Sequence, residues 1–288
     1  MIPASPHERE RRYAAHVAAR ASLTSRAVRF GLVAALLYGA LVAVAALSYR
    51  SLVFPAPRRG ATPVAPGTEL IERDVSGQPL FALFAPPEPG RRLVAYFHGN
   101  GEELGDLSTL ATTLVKRGVG ILFVEYPGYG LAKAGEATEE NLYAVADAAL
   151  LDLQARGIGR ERVVLVGYSL GSGVAAEMAL RGRGDRLVLV APFTSMDDMA
   201  QLFLPIVPAS FYVRDHFDTL GKASRLTLPT VVVHGDADSL IPVVMGRRVR
   251  DAIPGAELAI FAGGEHYDLW RREDGRLVGM IIDQAVMR

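Results

Sequence analysis

The hydrophobic pattern divides the chain into two regimes. Phe30–Tyr49 is an unbroken apolar run without a charge. From about Thr68 onward, short apolar runs alternate with stretches of helical period. Leu70–Val75 and Leu80–Phe84 read as strands around the turn residues Ser76-Gly77-Gln78-Pro79. Leu93–Phe97 is a continuous apolar run suited to a buried parallel strand. Leu104–Arg117 places apolar residues at 104, 107, 110, 111, 114 and 115, which predicts a helix closed by Gly118. Gly120–Val124 predicts a strand and Thr138–Arg156 a helix ending at Gly157. Val163–Val166 predicts a strand, followed by a helix over Val174–Leu180. Further strands are predicted at Leu187–Val190, Thr230–His234 and Leu258–Phe261. Residues 196–228 read as irregular, with one apolar patch at Leu202–Val207. Tyr267–Met287 reads as a helix broken around Gly275. There is no internal repeat.

Strand–helix alternation with unbroken apolar strands predicts an α/β domain: a mostly parallel central sheet with helices on both faces. In such sheets ligands bind beyond the carboxyl ends of the strands. The turns at 98–103, 125–130, 167–171, 191–195, 234–242 and 262–266 all fall at that edge. The interval between the strands at 187–190 and 230–234 is short, so any cap over the edge is small.

The run Phe30–Tyr49 predicts a transmembrane anchor, because a helix of that length spans about 30 Å of hydrocarbon. Arg9, Arg11, Arg12, Arg20, Arg26 and Arg29 precede it, and Arg50, Arg58 and Arg59 are the nearest basic residues after it. The heavier basic flank is N-terminal, which puts residues 1–29 in the cytoplasm and the C-terminal part on the other side. A cleaved signal peptide is the alternative, with Ala43-Val44-Ala45 as an A-x-A-like site. A buried core helix fits less well, since no face of the run is polar. Residues 50–67, with Pro55, Pro57, Pro63 and Pro66, read as a linker, and 68–288 as one domain.

Composition narrows the chemistry. The 288 residues carry a formal net charge of zero, so no basic excess points to nucleic acid. There is no cysteine, which excludes disulfides, thiolate metal sites and a cysteine nucleophile. What remains is Gly167-Tyr168-Ser169-Leu170-Gly171 between a predicted strand and a predicted helix. A G-x-S-x-G pattern in that context makes a nucleophile elbow, with a serine hydroxyl held out at a strained turn. With 29 glycines in the chain the pattern alone also arises by chance, as an ordinary turn containing a serine. A serine nucleophile needs a base. The chain has six histidines. His7 and His16 precede the apolar run, His98 and His234 sit in strand-ending His-Gly pairs that suit loop bracing, and His216 lies in the irregular segment. His266, in the loop after the last strand, is the candidate base, although a surface loop histidine would read the same way. Asp236 and Asp238 both follow the strand 230–234 and are candidates to orient it. Asp268 is too close to His266 in sequence. An oxyanion hole draws one backbone N–H from the residue after the nucleophile, Leu170, and another from the glycine-rich loop after 93–97. That loop would also suit a phosphate, but no Lys-Ser/Thr pair follows it.

The chain order Ser169, acid, His266 resembles the α/β-hydrolase superfamily over roughly 68–288. Within it, FHGNGEELG (97–105), EYPGYG (125–130), GYSLGSG (167–173), HGDADSLIP (234–242) and GGEHYD (263–268) resemble the membrane-anchored Bem46-like hydrolases and the mammalian α/β-hydrolase-domain proteins 12, 13 and 17. Five motifs in order are far more specific than one. The resemblance implies Asp238 rather than Asp236 as the acid, and Asn100 as the second oxyanion donor beside Leu170. It implies a serine hydrolase acting on acyl esters or thioesters, with a lipid-like substrate and no metal or organic cofactor. An amide or peptide hydrolase on the same residues, or a non-catalytic binding protein of the same fold, are the alternatives. One departure stands out: Glu125 occupies a position where many relatives carry Asp, and Leu131-Ala132 replaces a serine end. This bears on turn packing rather than on the reacting residues. Leu202–Val207, with Phe211 and Tyr212, either forms an apolar lip at the site or packs on the core.

Overall fold

The computed structural model describes residues 5–57 and 59–287. The chain divides into two compact units, Met1–Ser48 and Tyr49–Arg288. Helix α1 (Pro6–Val53) runs without interruption through the apolar stretch. Its segment Arg26–Val53 is long and apolar enough, by length and composition, to cross a membrane. Residues 1–4 of the expected N-terminal segment, and Arg58 of its far flank, lie outside the described residues.

The second unit is built on one eight-stranded sheet: β1 (Glu69–Val75), β2 (Gln78–Ala85), β3 (Leu93–Phe97), β4 (Gly120–Glu125), β5 (Val163–Tyr168), β6 (Arg186–Val190), β7 (Thr230–Gly235) and β8 (Glu257–Phe261). Their spatial order is β1-β2-β4-β3-β5-β6-β7-β8. β1 and β2 are antiparallel to each other, β2 is antiparallel to β4, and every pairing from β4 to β8 is parallel. This is the α/β-hydrolase fold. Strand side chains alternate between two cores. On β3, Leu93, Ala95 and Phe97 enter one and Val94 and Tyr96 the other. That two-sided burial is why the strands read as continuous apolar runs, and each fully buried large side chain such as Phe123 contributes about 1.5–3 kcal/mol.

Helices α3 (Glu139–Ala155), α4 (Leu170–Leu180), α6 (Thr219–Ala223) and α7 (Val243–Ala252) cover the first face, and α2 (Ser108–Val115) and α8 (Arg276–Gln284) cover the second. α3 starts where Thr138 accepts the N–H of Asn141, and it packs through Leu142, Val145, Ala149 and Leu153. The helix expected over 104–117 is split into a 3-10 turn at Leu104–Leu107 and α2. The segment 196–228 is more ordered than expected. Ser195 caps α5 (Met196–Phe203) and Asp218 caps α6, each side chain accepting a first-turn N–H. α7 was not expected from the sequence. Its buried side is only Met245, Gly246 and Val249 among arginines, and a methyl on Gly246 would sit 2.2 Å from Nδ1 of His234. A residue unfavourable to helix is there for close approach.

The stretch 50–67 differs from the expected linker. α1 continues to Val53, and Phe54 is buried with its ring edge-on to Phe217 at 6.2 Å. The buried carboxylate of Glu103 accepts the backbone N–H groups of Arg59, Gly60 and Ala61 at 3.1–3.4 Å, and the N–H of Gly130 donates to the carbonyl of Pro57 at 2.8 Å. Ala61 lies so close to Gly105 that a methyl there would sit 2.6 Å from its Cβ. The prolines deny this stretch a regular backbone, so its polar groups are satisfied by the domain it crosses. It is a strap rather than a free tether. Removing the Glu103 carboxylate leaves three N–H groups without their acceptor. Glu103→Ala is therefore expected to lower unfolding free energy by about 2–4 kcal/mol in urea titration, and an unchanged midpoint would show that the strap adds nothing to stability.

Candidate active site

The site sits where β5 turns into α4. Ser169 ends the turn with φ 52° and ψ −117°, a conformation that L-residues rarely adopt. The flanking glycines explain how the turn closes. A methyl on Gly171 would lie 1.9 Å from the carbonyl oxygen of Phe97, and one on Gly167 would lie 2.2 Å from that of Gly171. Both positions therefore exclude any side chain. The Ser169 N–H donates to Val190 on β6 at 2.9 Å, and its carbonyl accepts both the N–H and the hydroxyl of Ser172, the latter at 2.6 Å. The strained residue is thus held on either side.

His266 approaches from the loop after β8. Its Nε2 lies 3.0 Å from the Ser169 hydroxyl and its Nδ1 lies 2.8 Å from Oδ2 of Asp238. With the carboxylate ionised, Nδ1 carries the proton and donates it, which leaves Nε2 free to accept the serine O–H. The structure thus brings Ser169, His266 and Asp238 into one hydrogen-bonded row. All three are buried, at 5%, 2% and 7% exposure. Asp236 is turned elsewhere and accepts the N–H of Gly263 at 2.6 Å.

The carboxylate is itself anchored. Oδ1 of Asp238 accepts the N–H groups of Leu240 at 3.0 Å and Ile241 at 2.7 Å. His234 donates from Nε2 to the Ile241 carbonyl at 2.9 Å and stands 3.5 Å from Oδ2 of Asp238. Burial alone would raise the Asp238 pKa. The hydrogen bonds from His234, His266 and Ile241 outweigh it and hold the group well below the usual carboxylate range. The acid loop and the histidine loop are also laced together. Ala237 donates to the Gly264 carbonyl at 3.0 Å, Ser239 donates from N and Oγ to Glu265, and Gly235 is so close that a methyl would meet the Gly264 oxygen at 2.2 Å.

Tyr168 is a contributor that the sequence reading passed over. Its ring stacks on His266 at 5.3 Å and 27°, and its hydroxyl donates to the His266 carbonyl at 2.9 Å. The only signal was an aromatic residue inside the elbow motif, which has no periodicity to reveal it.

Leu170 is the first residue of α4, so its N–H has no acceptor one turn back. Asn100 lies in the turn after β3, and its side-chain amide donates to the Val53 carbonyl at 3.4 Å. Neither backbone N–H has a protein acceptor among the described residues. The two turns touch: a methyl on Gly99 would stand 3.1 Å from the Tyr168 ring. Gly99 itself donates to Glu102 at 2.8 Å. Behind this loop, Glu125 is fully buried and ties the turns together, accepting from Leu104 at 3.1 Å and Leu131 at 3.4 Å and facing His98 Nε2 at 3.1 Å. Burial would lower the His98 pKa, but the hydrogen bond and charge of Glu125 raise it overall. The longer Glu side chain thus fills the role of a turn anchor.

Among the described residues no group of three or more His, Asp or Glu side chains has the geometry to hold a metal ion. An open polar cavity of about 630 Å³, lined by Arg50, Glu139, Tyr143, Arg181 and Asp215 among others, includes none of the three aligned residues.

Comparison with known proteins fits this geometry. The family model described as "Serine aminopeptidase, S33" matches residues 88–214. The chain is 33% identical over 174 residues to human α/β-hydrolase domain-containing protein 17B, a match covering 59% of each, so it spans less than two thirds of that relative's length. An esterase of Pyrococcus furiosus superposes with a TM-score of 0.65 at 16% identity, covering 81% of this chain and 100% of that one. A monoacylglycerol lipase of Paleococcus ferrophilus superposes with a TM-score of 0.55 at 19% identity, covering 75% and 98%. At those identities the two structures show that the chain has the α/β-hydrolase fold, and its sequence is similar over part of its length to that of α/β-hydrolase domain-containing proteins.

Proposed function

We propose that the protein is a serine hydrolase of acyl esters or thioesters, working through Ser169, His266 and Asp238. The observation that carries the proposal is the buried row of hydrogen bonds, 3.0 Å from Ser169 to His266 and 2.8 Å from His266 to an ionised, anchored Asp238. Ser169 Oγ attacks the substrate carbonyl carbon while its proton passes to Nε2 of His266. Asp238 keeps the proton of Nδ1 in place and stabilises the imidazolium without taking that proton. The new oxyanion is met by the backbone N–H groups of Leu170 and Asn100. His266 then gives its proton to the leaving oxygen or sulfur, and an acyl-Ser169 ester remains. Water adds to that ester, with His266 as base and then acid, releasing the carboxylic acid and restoring Ser169. A lipid-like acyl chain is favoured by the apolar helix at the N-terminus. Amide hydrolysis by the same residues is the second reading, favoured by the description of the matching family model.

For the chain as a whole, we propose residues 1–29 in the cytoplasm, 30–49 as an uncleaved membrane anchor and the hydrolase unit on the opposite side. The apolar helical segment Arg26–Val53, long enough to cross a bilayer, supports a membrane-spanning reading.

A fluorophosphonate probe is expected to label the wild type and to leave Ser169→Ala unlabelled, with ester turnover falling by about 10⁶-fold; absence of label on folded wild type would refute the hydrolase reading. Asp238→Asn is expected to cost about 10⁴-fold in kcat while leaving the fold intact. The same variant has a pH signature. A carboxylate whose pKa is depressed on folding contributes stability above its unfolded pKa of about 3.9 and loses it as pH falls through its folded value. The melting-temperature gap between wild type and Asp238→Asn should narrow from about pH 6 to about pH 3, and a gap that widens would contradict the assigned charge state. Protease added to intact cells should digest the hydrolase unit; cleavage only after the cytoplasm is opened would reverse the orientation.

A further inference from the structure

The uncharged stretch Met199–Val213 follows β6 at the same sheet edge as Ser169. Met199, Val207, Ala209, Tyr212 and Val213 are buried. Four large apolar side chains in the same stretch are not: Leu202, Phe203, Ile206 and Phe211 are 48%, 62%, 65% and 61% exposed. Scattered apolar residues on a surface need no explanation, but four within ten positions, with no charge between them, form a patch of the kind that marks an interface. So this segment both packs on the core and offers an apolar outer face.

Its attachments say what that face meets. Tyr49 is the last residue of the apolar run. Its hydroxyl donates to the carbonyl of Asp215 at 2.9 Å and accepts the Asp215 N–H at 3.1 Å. Its ring stands edge-on to Tyr212 at 6.3 Å, and the Tyr212 hydroxyl donates to the carbonyl of Ala200 at 3.0 Å. Tyr49 is therefore fastened to the C-terminal end of the exposed segment, at Tyr212 and Asp215, and Tyr212 in turn reaches Ala200 near its start. A tyrosine closing a membrane-spanning run lies at headgroup level. The exposed Arg214 flanks this connection, where a cation meets lipid phosphates, while Arg50 is paired with Glu136 and Asp215.

We propose that Leu202, Phe203, Ile206 and Phe211 form a bilayer-docking surface that seats the cap of the hydrolase unit in the membrane interface. The proposal rests on the reading of residues 30–49 as an anchor. It implies that an acyl substrate is taken from the lipid phase on the side of this segment.

The absence of cysteine makes a clean test available. Phe203→Cys and, independently, Phe211→Cys in the full chain are labelled with a nitrobenzoxadiazole probe and reconstituted in phosphatidylcholine–phosphatidylglycerol vesicles. Glu257→Cys, exposed at the start of β8 on the opposite edge of the sheet, is the control. The probes at 203 and 211 should shift to the blue and lose most of their emission to brominated lipid, while the probe at 257 stays water-like. A chain that resists carbonate extraction but carries unquenched, water-like probes at 203 and 211 overturns the docking surface and leaves the anchor standing. A probe shielded from water but untouched by brominated lipid overturns it in favour of a protein partner. Release of the chain by carbonate removes the anchor itself and the proposal with it.

Discussion

Everything at the site hangs on one close approach. The turn from β5 into α4 presses Gly171 against the carbonyl of Phe97 at the end of β3, leaving no room for even a methyl group. That approach forces Ser169 to a positive φ and directs its hydroxyl away from the sheet. It also brings the turn after β3, with Asn100, against the start of α4, with Leu170. Candidate nucleophile and candidate oxyanion donors are therefore products of a single steric fact. The cost of the strained backbone, of order 1–3 kcal/mol, is offset by the parallel sheet on either side, which is buried on both faces.

A second constraint holds the candidate base and its partner. The loops after β7 and β8 interlock through Ala237, Gly264, Ser239 and Glu265, so the backbones that carry Asp238 and His266 are joined by hydrogen bonds. Asp238 is left with little freedom, since both oxygens are engaged, and its charge is kept by donors rather than by solvent. Tyr168 closes the arrangement by gripping the backbone of His266 from the residue next to Ser169. The same segment that carries the serine thus positions the histidine.

A third set of contacts ties the domain to what precedes it. The strap of residues 53–61 reaches Glu103 and Asn100 in the turn after β3 and Gly130 in the turn after β4. Tyr49 reaches the cap from the other direction. Chain that looks like a spacer by composition is hydrogen-bonded to the domain it crosses.

Strands were legible because two-sided burial writes them as continuous apolar runs, and the elbow was legible because only glycine survives the approach around Ser169. The chain order of serine, acid and histidine was visible too, since topology puts each after a strand at the same edge. Other features had no local signature. α7 hides its buried side behind arginines, and the strap looks like a linker because prolines erase its periodicity. Asp236 and Asp238 follow the same strand and differ by one turn of loop; only the interlocked loops send one to Gly263 and the other to His266. Tyr168 and Glu103 act across distances in sequence that no pattern encodes. The sequence by itself determined which residue types could react and where the chain must turn. Which of them meet was decided by tertiary structure, because hydrogen-bond partners are chosen by the packing of whole elements rather than by their neighbours in the chain.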